Sequence, residues 1–85
     1  MKAEEAVRRA VEAFAELIKL RMDAVVGVTR DEQSWLVTLE AVHRNGIPDT
    51  MDILGLYEVR VAEVGELLNI GRKSLRKRGD TSEPG

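Results

Sequence analysis

Cysteine is absent from this chain of 85 residues, and histidine, proline and aromatic side chains are scarce. Without cysteine the chain can form neither a disulfide nor a thiolate metal site, which fits a reducing compartment such as the cytoplasm. No apolar run approaches the roughly 20 residues that span a bilayer, and Glu4, Arg8 and Glu12 interrupt the stretch where a secretory signal would need apolar residues. We therefore expect a cytoplasmic protein that does not enter a membrane.

The same scarcity argues against catalysis. His43 is the only histidine, so no second imidazole or thiol can complete a zinc site or a nucleophile-base pair. The carboxylates of Asp49, Asp52 and Glu58 lie close in sequence, but they lack the spacing of a calcium-binding loop. No glycine-rich segment joins a strand to a helix in the way that a phosphate-binding loop requires. We expect no enzyme activity, no metal, no cofactor and no small-molecule substrate.

What is present at the beginning of the chain is an amphipathic pattern. Apolar residues between positions 3 and about 22 recur at steps of three and four, and charged residues fill the opposite side. This spacing predicts one long helix. A chain of this length makes one domain, whose core can support about one such helix and one sheet.

Further along, the period of the apolar residues becomes two, which predicts strands over 25–29, 35–42, 54–61 and 66–72. Short polar or glycine-containing segments separate these strands and suit tight connections. The residues that we assign to the core face are Trp35, Val37, Leu39 and Ala41, then Tyr57, Val59 and Val61, and finally Leu68 and Ile70.

The order of these elements predicts an α+β fold. One long N-terminal amphipathic helix packs on a three- to four-stranded antiparallel β-meander, with residues 1–79 as a single domain and 80–85 as a disordered C-terminal tail. The sheet face opposite the helix must be exposed to solvent or covered by a partner. Leu36, Val42, Leu56 and Leu67 are placed on that face, and a patch of them would form a protein-binding surface.

Charge is distributed unevenly along the chain. Residues 1–71 hold eight basic and thirteen acidic side chains, whereas the next seven positions hold five basic ones: Arg72, Lys73, Arg76, Lys77 and Arg78. A basic segment on an acidic body can bind an acidic partner or nucleic acid, or it can protect the edge of a sheet from pairing. Trp35 and Tyr57 are better explained as core than as base-stacking residues, so nucleic acid is the second choice.

The segment 47–52 is predicted to be an ordered loop. Asn45 and Gly46 favour a turn before it, and Pro48 fixes its own φ. Asp49 and Thr50 can each accept hydrogen bonds from backbone amides a few residues ahead. Such a loop is either a preorganised recognition element or a connection between two strands, and both readings remain open at this point.

The sequence of this loop and of the strand after it is similar to the signature of the gas vesicle protein O family. The signature is a proline-aspartate-threonine loop, here Pro48 to Thr50, which leads into a Leu-x-x-Tyr-Glu-Val strand, here Leu54 to Val59. The Trp-x-Val-x-Leu-Glu run at 35–40, the Gly-Glu-Leu turn at 65–67 and the arginine-rich end also resemble the family. The resemblance covers about residues 25–79.

The resemblance implies an accessory protein of gas vesicle assembly, which acts as an interaction module with other gas vesicle proteins. The alternative is a small nucleic-acid-binding regulator that uses the basic segment. Our predicted partner-binding residues come from the loop and from the basic segment: Ile47, Pro48, Asp49, Thr50, Asp52, Arg72, Lys73, Arg76, Lys77 and Arg78.

Overall fold

The computed structural model describes residues 1–79, and the tail predicted at 80–85 lies outside them. Its elements are α1 (Ala3–Leu17), β1 (Arg21–Asp31), β2 (Ser34–Arg44), a short 3-10 turn (Asp49–Met51), β3 (Ile53–Ala62) and β4 (Leu67–Lys77). The four strands form one sheet in the order β1-β2-β3-β4, and each neighbouring pair is antiparallel. The predicted α+β meander is confirmed.

The helix is shorter than the sequence pattern suggested. It ends at Leu17, Ile18 already has an extended backbone, and β1 begins at Arg21. The boundary that we placed near residue 22 is therefore wrong. Ile18 is β-branched, which favours extended backbone, and from Arg21 onward the chain pairs with β2, beginning with Arg21 opposite Val42. The strand ladder satisfies these backbone groups in place of further helical hydrogen bonds.

The core lies between α1 and one face of the sheet, which we call the inner face. All seven residues assigned to it from β2 and β3 are buried, and they meet Ala6, Ala10 and Phe14 of the helix. The two alanines leave room for the helix backbone to approach the sheet. The ring of Phe14 meets the ring of Tyr57 edge-on, with 5.1 Å between centroids and 69° between planes, an arrangement that aromatic pairs favour.

The face assignment in β4 needs correction. Leu67 contacts the core instead of the outer face, and Leu68, predicted inward, is 49% exposed. The cause is a bulge: Arg60 pairs with Asn69 and the next residue of β3 pairs with Leu67, so Leu68 is an extra residue in β4. A bulge breaks the alternation of period two on which the assignment depended. Ile70 contacts the core as predicted.

Gly55 makes room for the central aromatic residue. A Cβ atom at this position would lie 2.7 Å from Cε1 of Tyr57, closer than real Cβ contacts. The Tyr57 ring therefore occupies the space that a side chain of residue 55 would take. Because the ring also meets Phe14 edge-on, it has little freedom to move away.

Replacing Tyr57 by alanine should lower the free energy of unfolding by about 3–5 kcal/mol, the usual cost of removing a buried aromatic ring. Tyr57 is 6% exposed and belongs to the core. Urea unfolding followed by circular dichroism measures the change. A variant with the same midpoint as the parent would contradict the inner-face assignment.

Gly55→Ala should cost about 1–3 kcal/mol of stability, since the new methyl group overpacks a filled core. Gly27→Ala is the matched control, because its Cβ would meet nothing within 4 Å and its φ is not positive. Thermal unfolding of both variants compares the two positions. Equal melting temperatures would mean that the Tyr57 ring does not restrict residue 55.

Candidate functional site

The loop between β2 and β3 is fastened to the body of the protein by Asp52. This carboxylate is almost completely buried, and its Oδ1 accepts a hydrogen bond of 2.7 Å from the amide of Gly46. Its Oδ2 accepts one of 3.2 Å from Nε of Arg78. The backbone carbonyl of Asp52 accepts the amide of Arg78 at 2.7 Å. One residue therefore ties the start of the loop, its end and the segment after β4 together.

Asp49 and Thr50 do not play the part that we predicted for their side chains. The 3-10 turn has no side-chain cap, and the amide of Asp52 bonds to the backbone carbonyl of Asp49. The carbonyl of Thr50 accepts the amide of Gly79 at 2.8 Å. Backbone groups thus replace the expected side-chain bonds, and Asp52, which the sequence analysis placed last in the loop, is the residue that anchors it.

Gly46 is required for the close approach of the two ends of the loop. A Cβ atom here would lie 2.5 Å from both the carbonyl carbon and the Cβ of Met51. These atoms belong to the backbone or lie next to it, so they cannot move aside cheaply. The Asn-Gly pair therefore serves close packing as well as turn geometry, since Gly46 also donates the hydrogen bond that Asp52 accepts.

The hydrogen bond from Gly46 holds the pKa of Asp52 below its ordinary value, and the guanidinium of Arg78 acts in the same direction against the effect of burial. The pKa of Arg78 is raised, chiefly by its hydrogen bonds to Asp23 of β1 and then by those to Asp52. The Arg78 nitrogens lie 2.9 and 3.4 Å from the two Asp23 oxygens. Both groups are therefore held in their charged forms.

On this fixed base the loop presents apolar side chains to solvent. Ile47 is 98% exposed, and Met51 is 47% exposed. The peptide bond between Ile47 and Pro48 is cis. The 3-10 turn, which ends at Met51, follows it. An isoleucine this exposed gains nothing for the fold by being apolar. The loop is thus an anchored segment with an apolar tip.

The end of the basic segment lies next to this loop, through Arg78 and its bond to Asp52, whereas Arg72 lies further along β4, opposite Tyr57. The structure thus brings together only part of the two groups of residues that the sequence suggested separately. Arg76 and Arg78 nevertheless form ion pairs with carboxylates of the same chain. Arg76 reaches across β3 to Glu40 of β2 with hydrogen bonds of 2.7 and 3.0 Å, which raise the pKa of the arginine. Lys73 lies 3.5 Å from Glu58. Among residues 1–79, only Arg72 and Lys77 of the five basic side chains have no ion-pair partner.

The outer face of the sheet, opposite the helix, is covered by ion pairs instead of an apolar patch. Leu36 and Leu56 are half-buried on this face, but Leu36 pairs with Arg60 and Leu56 with Glu40, so they lie at separate rungs. Val42, predicted to be exposed there, is buried beside Leu54, and Arg76 lies opposite Leu54. Arg60 joins the face through a bond of 3.0 Å to Asp31.

A second carboxylate, Glu63 in the turn after β3, was missed by the sequence analysis. It accepts the indole N–H of Trp35 at 3.0 Å and the α-ammonium group of Met1 at 2.7 Å. These bonds, with the ammonium first, hold its pKa below the ordinary value. Arg30 lies 5.3 Å from the centre of the Trp35 ring. The cluster joins residues far apart in sequence, so local spacing contains no signal for it.

Residues 1–79 were also compared with what a metal site and a membrane-spanning helix require. Among residues 1–79, no group of three or more histidine, cysteine, aspartate or glutamate side chains is placed to hold a metal ion. No helix in this part of the chain is long and apolar enough to cross a membrane.

The family described as "Gas vesicle synthesis protein GvpO" matches residues 1–82, so the match includes the helix. Gas vesicle protein O1 of Halobacterium salinarum is 31% identical over 75 residues, which cover 88% of this chain and 63% of that protein. Gas vesicle protein O of Haloferax mediterranei is 32% identical over 76 residues, which cover 88% of this chain and 54% of that protein.

A bacterial relative is similar to this chain to about the same degree. Gas vesicle protein O of a Streptomyces species is 33% identical over 73 residues, 86% of this chain and 57% of that protein. The chain thus matches between 54% and 63% of the length of these relatives. No solved structure matches it.

Asp52→Asn should destabilise the protein at neutral pH, because the charge that faces Arg78 is lost. The folded-state pKa of Asp52 is depressed, so its stabilisation is present above the unfolded pKa of about 3.9 and is lost as the pH falls through the folded pKa. The gap in melting temperature between parent and variant should therefore shrink as the pH falls from about 7 to about 2.

Asp49→Asn is the control for this experiment, since Asp49 is exposed in the same loop. It should melt with the parent at both pH values. A gap between Asp52→Asn and the parent that is equally large in acid would show that the carboxylate charge does not hold the loop.

Proposed function

The chain belongs to the gas vesicle protein O family, and we propose that it acts in gas vesicle assembly as an accessory protein that binds other gas vesicle proteins. We further propose that it works in the cytoplasm, through contact with its partners and without catalysing a reaction. The relatives bear names of gas vesicle proteins, and the family is described by its part in gas vesicle synthesis.

The observation that supports a binding role is the exposed Ile47 on the anchored loop. Apolar side chains that insert into a partner surface supply much of the affinity of protein interfaces. Such a residue contributes most where its backbone is already fixed, because little entropy is then lost on binding. Asp52 and Gly46 hold the loop in this way, with bonds at both of its ends.

Charge gives a second reason to favour a protein partner with acidic character. Arg72 and Lys77 lie on β4 and have no ion-pair partner among residues 1–79, and Lys77 pairs with Ile53, the first residue of β3 after the loop. Arg76, Arg78 and Lys73, by contrast, neutralise carboxylates of the chain itself. Three of the five basic groups on which the nucleic-acid alternative depended are thus already engaged, so we do not put that alternative forward.

Ile47→Ser should abolish or strongly reduce gas vesicle formation in cells that lack the native gene, while the purified variant keeps the melting temperature of the parent. Val64→Ser is the matched control, because Val64 is 86% exposed but lies in the turn between β3 and β4, away from the loop. Vesicles can be counted by electron microscopy. Normal vesicle numbers with a well-folded Ile47→Ser variant would reject the loop as the partner-binding element.

A further inference from the structure

The helix does not reach the end of the inner face. A helix of 15 residues extends about 22 Å, whereas a strand of 11 residues extends about 36 Å. The helix begins at the end of the sheet that contains Trp35 and Glu63, as the bond between Met1 and Glu63 shows. The part that α1 leaves uncovered therefore lies at the opposite end, where β2 finishes and β3 begins. Ile18 and Leu20 pack on the core as the chain passes from the helix to Arg21 of β1, so the open part is on the side of β3 and β4.

Four side chains define this uncovered corner. Leu75 of β4 pairs with Gly55, and its Cδ2 lies 3.5 Å from the Cβ position of residue 55, on the same side as the Tyr57 ring. Leu75 thus faces inward, yet it is 44% exposed. Ile53, two residues before Gly55 in the same strand, shares this face and is half-buried. Arg44 and Lys77 are paired with Ile53 from either side.

The two cations at the corner are available to an outside group. Arg44 and Lys77 are exposed, and neither forms an ion pair with any residue in the 1–79 region. Leu17, 57% exposed, is the last residue of the helix and so lies at the helix end nearer the corner. The corner thus combines apolar side chains in the middle with positive charge at both flanks.

We propose that this corner binds an acidic amphipathic helix of a partner protein, whose apolar stripe covers Leu75 and Ile53 while its carboxylates meet Arg44 and Lys77. A second helix laid end-on to α1 would continue the existing helix layer over the part of the sheet that α1 leaves open. Charge complementarity selects an acidic segment over a basic one.

The corner and the loop form one surface. Arg44 lies three positions before Ile47, and the bond between Gly79 and Thr50 joins the loop to the chain just beyond Lys77. A helix seated on the corner therefore lies at the same end of the sheet as the loop that contains Ile47. This inference rests on the proposed function, since it names the kind of partner segment that the same region would bind.

The test uses a fluorescein-labelled peptide of about 18 residues, long enough to form a helix, with leucine at helical spacing and glutamate elsewhere. Anisotropy gives its affinity for the intact protein. Lys77→Glu and Arg44→Glu should each weaken binding at least about fivefold, since like charges then face each other. Leu75→Ser should weaken it to a similar degree. Arg8→Glu, which reverses an exposed charge on α1 away from the corner, should leave it unchanged.

Several results would overturn the proposal. These are equal affinity for a peptide with lysine in place of glutamate, equal weakening by Arg8→Glu, or binding unaffected by all three corner substitutions. If light scattering showed a dimer that Leu75→Ser dissociates, the corner would be a binding site for a second copy of this chain. If the protein sedimented with phosphatidylglycerol vesicles, lost this binding in Lys77→Glu and bound no peptide, the corner would be a binding site for a lipid surface.

The proposed function has an independent readout. If the peptide fails to bind while Ile47→Ser still prevents vesicle formation, the corner proposal falls and the role of the loop stands. If the peptide binds as expected while Ile47→Ser forms normal vesicles, the loop proposal falls and the corner remains a protein-binding surface.

Discussion

A single helix of modest length has to cover a sheet that exceeds it in both length and width, and most of the architecture follows from this mismatch. The buried residues concentrate in the two central strands, β2 and β3, while almost every residue of the two outer strands, β1 and β4, remains exposed. Phe14, in the last turn of the helix, meets Tyr57 within the area that the helix covers. The domain is small enough that this one contact between layers has to supply most of its hydrophobic stability.

The outer face has no second layer, and cross-strand ion pairs take its place. Arg60 joins β3 to Asp31 in β1, Arg76 joins β4 to Glu40 in β2, and Arg78 joins the end of β4 to Asp23 in β1. Each exposed pair contributes little by itself. Their geometry nevertheless keeps a wet face free of a continuous apolar patch, which limits nonspecific association through that face.

The sequence was a good guide wherever an interaction is periodic or local. Alternation in β2 and β3 identified the buried face, and the spacing in α1 identified the helix. The failures have a common origin in contacts between distant residues. The bulge at Leu68 and the end of the helix at Leu17 depend on pairing with other strands. Likewise, loop and basic segment were both marked from sequence, but their junction at Asp52 and Arg78 joins residues 26 positions apart.

The position of Arg78 between Asp23 and Asp52 also links the state of the loop to the state of the whole sheet. Its guanidinium contacts a residue of the first strand, 55 positions away, and a residue that precedes the third strand. Both contacts require β1 through β4 to be in place. The loop is therefore joined to β1 and to the end of β4 only in a chain that has finished folding, and unfolded chains lack this anchored surface. A protein that recognised the anchored loop would thereby distinguish folded chains from unfolded ones.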